Sequence, residues 1–108
     1  MRKITNKVAE AFKMGKSISS GNTAVVVDSD STMIILHGNR IVLKNSEGIF
    51  FSLCGWNTPT TRERLQAAGI SISQCKFVAV TNQDVADLEG NKIPSGSVIC
   101  DSSVYKII

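Results

Sequence analysis

The side chains with chemical potential are few: His37, the thiols of Cys54, Cys75 and Cys100, and the carboxylates of Asp28 and Asp30. Histidine is the residue type whose ordinary titration falls near neutrality, so a catalytic reading has to begin at His37. It would need a nucleophile brought to the ring by the fold, with Cys54 on a nearby strand as the natural choice. Nothing in the spacing makes that pair, and a lone histidine beside a tight turn reads as a surface or structural residue. Asp28-Ser29-Asp30-Ser31 resembles the first ligands of a calcium loop. The offsets that require glycine and a bidentate glutamate fall on Met33 and Asn39, which leaves a polar hairpin turn. The cysteines are 21 and 25 positions apart, with no CxxC pair, and one histidine cannot complete a zinc site with them. They read as three buried, reduced thiols. Neither GxxxxGK[ST] nor GxGxxG occurs, so nucleotide hydrolysis and dinucleotide binding have no support. These patterns predict a protein that is not an enzyme, with no cofactor and no metal.

Charge is more informative. Residues 1–16 carry Arg2, Lys3, Lys7, Lys13 and Lys16 against Glu10 alone, a local charge of +4. The other residues carry seven bases and eight acids, so the whole net charge of +3 originates in one short element. Ile4, Val8, Ala11 and Phe12 fall in one arc about 100° wide at helical spacing, with the bases on the complementary arc. This predicts an amphipathic helix whose basic face meets phosphates or an acidic protein. Lysine outnumbers arginine there by four to one, and bidentate base readout favours arginine, so nucleic acid would be bound without sequence specificity.

The elements that must position these residues follow from pattern. Ser17 to Asn22 reads as a polar connector. Residues 23–54 read as an antiparallel meander of four strands, 23–27, 32–37, 40–44 and 49–54. A two-residue type II′ turn at Gly38-Asn39 joins the second to the third. Thr58 and Pro59 predict a helix start, with Thr60 and Glu63 as an alternative capping box; the helix runs to Ala68 and Gly69 is its C-cap. Cys75–Thr81 reads as the clearest late strand, Asn82–Lys92 as polar with a turn at Glu89-Gly90-Asn91, and Val98–Cys100 and Tyr105–Ile108 as short strands. The expected fold is α+β: an N-terminal amphipathic helix, an antiparallel β-meander, a second short helix and further C-terminal strands on one sheet. A chain of 108 residues is one domain, 1–108, able to bury roughly 65% of its unfolded surface. No apolar run approaches the ~18 residues of a membrane span, which places the protein in the cytosol with no membrane partner.

Arg2-Lys3-Ile4-Thr5-Asn6-Lys7-Val8, Leu36-His37-Gly38-Asn39-Arg40-Ile41, Gly55-Trp56 and Thr60-Thr61-Arg62-Glu63-Arg64-Leu65 together resemble a family of small bacteriophage proteins, over roughly residues 1–76. The resemblance implies an accessory protein made in the infected host. Two partner classes follow from the residues. A host protein would be met at Trp56, Arg62 and Arg64, since tryptophan and arginine dominate binding hot spots. Nucleic acid would be met at Arg2, Lys3, Lys7, Lys13 and Lys16. Trp56 also fits a core residue closing the sheet on the second helix. Arg62 and Arg64 lie 200° apart on a helical wheel, so both cannot face one partner squarely.

Overall fold

The computed structural model describes residues 3–108, and the side chains of residues 5–108. Arg2, and the side chains of Lys3 and Ile4, fall outside the described residues. Helix α1 spans Lys3–Met14, and it buries Val8, Ala11 and Phe12 as its spacing requires. Five strands follow: β1 Ile18–Ser20, β2 Thr23–Val27, β3 Thr32–Leu36, β4 Asn39–Asn45 and β5 Gly48–Phe51. Then come α2 Pro59–Ala67, β6 Ile72–Cys75, β7 Val78–Thr81, β8 Val85–Asp87, β9 Lys92–Ile93, β10 Val98–Ile99 and β11 Tyr105–Ile107. The fold is α+β and mostly sheet, with every strand pairing antiparallel.

The segment read as a connector contains a strand. Ser20 pairs with Thr23 across Gly21-Asn22, and Gly21 supplies the positive φ of +59° at the first turn position. Three serines within residues 17–20 hide this strand from a hydrophobic pattern. The C-terminal strands also divide. β11, β8 and β9 extend the meander into an eight-stranded sheet ordered β1-β2-β3-β4-β5-β11-β8-β9, while β10, β7 and β6 form a separate three-stranded sheet. The division follows from residues 75–81, which are a hairpin and not one strand: Cys75 pairs with Val78, and Lys76 at φ +57° turns the chain. No glycine, asparagine or aspartate marks that turn, so the sequence gives no sign of it.

One turn and one strand register differ from expectation. The β3–β4 turn is His37-Gly38, with φ of +50° and +79°, and Leu36 pairs with Asn39. Positive φ at both positions makes it type I′, which matches the strand twist better than the expected Gly38-Asn39 type II′ turn. On β4, Ile34 pairs with Val42 and Ile35 with Arg40, so Ile41 is an extra, bulged residue. The bulge lets Ile41 and Val42, neighbours in sequence, both enter the core.

Helix α2 matches its sequence signals closely. The Thr58 hydroxyl accepts from the Thr61 amide at 3.2 Å and Pro59 occupies the first turn. At the other end the amides of Gly69 and Ile70 reach the carbonyls of Gln66 and Leu65 at 2.9 and 3.0 Å, a Schellman motif, and Ile70 and Leu65 are both buried. Both helices cover the same face of the large sheet, where Val25, Ile34, Leu36, Ile41, Val42 and Phe51 form the core.

Candidate functional site

Helix α1 exposes Lys7 and Lys13, and Lys16 is exposed two residues past its end. Lys7 and Lys16 line a shallow groove against β1, together with Glu10 and Ser19. The basic face is therefore real over its described part, although Lys44 adds to it only from the sheet, its ammonium 4.8 Å from the centroid of the Phe12 ring.

The two arginines of α2 have separate roles. Arg64, at 1% exposure, is the largest fully buried side chain, so it is no surface anchor. Its Nε donates to Thr23 Oγ1 at 2.9 Å and its Nη1 to Thr5 Oγ1 at 2.6 Å, and Glu63 Oε1 lies 3.7 Å away. The Thr5 hydroxyl donates in turn to that same Glu63 oxygen. One buried guanidinium thus ties α2 to α1 and to β2. A buried charge persists only when paired and hydrogen-bonded, which this network provides. The helix N-cap is Thr58, two residues before the alternative start at Thr60. Arg62 is half-buried and donates to Asn57 Oδ1 at 2.5 Å.

Trp56 is 61% exposed, so it does not close the core. The chain leaves β5 through Leu53-Cys54-Gly55-Trp56, where the Trp56 amide donates to the Leu53 carbonyl at 2.9 Å. Cys54 and Gly55 have φ of +53° and +83°, a turn that a non-glycine residue enters at a cost. The corner is held from outside by the Gly55 amide on the Asp101 carbonyl at 2.8 Å and the Cys54 thiol on the Arg40 carbonyl at 3.3 Å. Between this corner, the β3–β4 turn and the start of α2 lies a cleft of about 510 Å³.

The thiols are not buried together. Cys75 and Cys100 are exposed, Cys54 is half-buried and none forms a disulfide. Cys75 ends β6 opposite Val78 on the outer side of the small sheet, where both side chains are exposed. Cys100 lies in a turn whose Ser102 and Ser103 hydroxyls hydrogen-bond its sulfur and lower its pKa to about 7. His37 is exposed, 3.3 Å from the Asn22 carboxamide, and the Cys54 thiol donates to the Arg40 carbonyl, so each is engaged with a different group. Asp28 caps its own turn by accepting from the Ser29 amide at 2.8 Å. Among the described residues no three histidine, cysteine, aspartate or glutamate side chains group as metal ligands. Among the described residues no helix is long and apolar enough to cross a membrane.

The surface that sequence reasoning missed is the other face of the large sheet. Cross-strand pairs set Val26, Met33, Leu43, Phe50 and Lys106 in one row, with Ala24, Ile35 and Arg40 in a second. All point away from the helices and are half-buried or exposed. The row spans about 19 Å at the usual strand spacing. A groove of about 490 Å³ runs over it between Arg40, Leu43, Phe50, Leu88 and Val104. The Lys106 ammonium sits 5.7 Å from the centroid of the Phe50 ring. The signal was in the sequence: Ala24-Val25-Val26-Val27, Met33-Ile34-Ile35-Leu36 and Ile49-Phe50-Phe51 are continuous apolar runs, the mark of strands meant for cover on both sides.

The family profile of the Kyanoviridae Gp96 protein matches residues 1–95. No curated protein and no solved structure gives a significant match.

Proposed function

The chain belongs to the Kyanoviridae Gp96 family of phage proteins, and we propose that it acts without catalysis, by binding a host protein in the host cytosol. The observation that carries this reading is the open face of the large sheet. Strands β2 to β5 carry apolar side chains on both faces, and the chain covers one of them. Exposed contiguous apolar surface marks an interaction site. The aliphatic row with one aromatic suits a protein surface better than stacked bases. The strand residues of this face include Arg40 and Lys106, and Glu47 lies at one end of the groove, so the partner presents apolar groups with carboxylates placed opposite the two bases. Inhibition of a host process or of an antiviral defence is the role such binding would serve.

The test is a pull-down of the tagged protein from host lysate, with and without nuclease, beside a Leu43→Asp variant. The expected result is a stoichiometric band that survives nuclease and is lost with Leu43→Asp, whose amide spectrum remains native. A band kept by that variant overturns the open-face assignment. The exposed Lys7, Lys13 and Lys16 favour a second reading, non-specific nucleic-acid binding. In that case the captured material vanishes with nuclease and with the triple Lys→Gln variant.

A further inference from the structure

We propose that the cleft beneath Trp56 is a second binding site, which takes an uncharged planar heteroaromatic ring of nucleobase type stacked on the indole. It lies at the end of the sheet on the helix-covered side and is independent of the open face. Its volume of about 510 Å³ falls within the range of small-molecule sites, ~300–1,000 Å³. The floor is Leu36, Ile41 and Leu53, each buried in the core, so it is apolar and held in place by the same packing that holds the fold. The rim is His37, Asn39, Thr58 and Thr60, all hydrogen-bonding side chains, with the buried Thr61 bonded to Thr58 behind them.

Two observations select the ligand chemistry. The lining contains no lysine, arginine, aspartate or glutamate, so a charged group gains no ion pair with those side chains there. This favours a neutral ring. The indole is presented at a corner made of two consecutive positive-φ residues, and three separate hydrogen bonds hold that corner. Strain of this kind persists where the surrounding structure over-determines it, commonly at ligand sites. An aromatic face over an apolar floor accepts any flat ring by stacking. The polar rim distinguishes rings with hydrogen-bonding edges from plain phenyl rings, and this favours a nucleobase over a phenylalanine-like side chain.

Trp56 is the only tryptophan in the chain, so intrinsic tryptophan fluorescence reports on this site alone. The experiment titrates the full-length protein with adenosine, guanosine, cytidine and uridine, with their 5′-monophosphates, and with N-acetyl-phenylalaninamide. Saturable quenching is expected with at least one nucleoside, together with amide shifts at Leu36, Asn39 and Thr61. The matching monophosphate should bind no tighter, and N-acetyl-phenylalaninamide about tenfold more weakly or worse. Followed by amide shifts, Trp56→Ala should weaken nucleoside binding about tenfold or more, and Trp56→Phe, which keeps a stacking ring, should lose less. Asn39→Ala should change the ranking of the bases. No saturable response to any nucleoside overturns the proposal. So does equal binding of the phenyl compound, or nucleoside binding that survives Trp56→Ala in a natively folded protein. None of these outcomes touches the open-face reading, which Leu43→Asp tests separately.

Discussion

Ile34 and Ile35 are neighbours on one strand, identical in chemistry, and belong to different surfaces. Ile34 is wholly buried under the helices, and Ile35 stands half-exposed on the uncovered side. The same division runs through Val25 and Val26, Val42 and Leu43, and Phe51 and Phe50. Folding consumes one member of each pair. The other adds its hydrophobic surface to a face that stays partly wet until something covers it. The covered face also holds the buried Arg64–Glu63 network, whereas the strand residues of the open face include the bases Arg40 and Lys106. One sheet thus separates a side committed to stability from a side left for recognition.

The sharpest way to break this comparison is at its buried ionic anchor. Arg64→Ala removes the guanidinium that the Thr5 and Thr23 hydroxyls accept from and the positive charge beside the Glu63 carboxylate, and should cost about 3–5 kcal/mol of unfolding free energy in urea titration. A loss under about 1 kcal/mol would mean the network is decorative. Next is the isoleucine pair. Ile34→Ala should cost about 2–4 kcal/mol, and Ile35→Ala about 1 kcal/mol or less, in the same measurement. Equal losses would show that the open face is covered in solution. Gly38→Val tests the turn that sets which residues of β3 and β4 face which side. A β-branched residue at φ +79° should lower stability by about 1–2 kcal/mol, although a Cβ there would meet no neighbour. An unchanged melting temperature would count against the type I′ geometry. The smallest effect belongs to Lys7, Lys13 and Lys16 changed together to glutamine, which should shift stability by about 0.5 kcal/mol or less, because exposed charges contribute little. A larger change would place those lysines in structural contacts.

The parts legible in the sequence are those governed by local physics. The stripe of Val8, Ala11 and Phe12 gives α1, Thr58-Pro59 and Gly69 bracket α2, and β-branched runs give β2 to β5. What stayed hidden depends on distant partners. Ser19 is a strand residue because Ala24 pairs with it. Arg64 is interior because Thr5 and Thr23, 59 and 41 positions away, wait for it. Trp56 is exposed because the Asp101 carbonyl and the backbone of Arg40 fix its corner, and nothing near Trp56 in sequence says so. The open face was legible in principle. Continuous apolar runs announced a need for cover that two short helices could meet on one side.

The extra residue on β4 has a wider effect than its contribution to packing. In a regular strand, positions 39 and 43 have the same parity and face the same way. The bulge at Ile41 advances the alternation by one, so Asn39 belongs to the cleft side and Leu43 to the uncovered side. A single seven-residue strand thereby serves two sites on opposite surfaces. Deleting Ile41 would act like a reading-frame change in three dimensions: the strand could keep its ladder, but only by turning Leu43 inward or Asn39 outward, and one of the two surfaces would be erased.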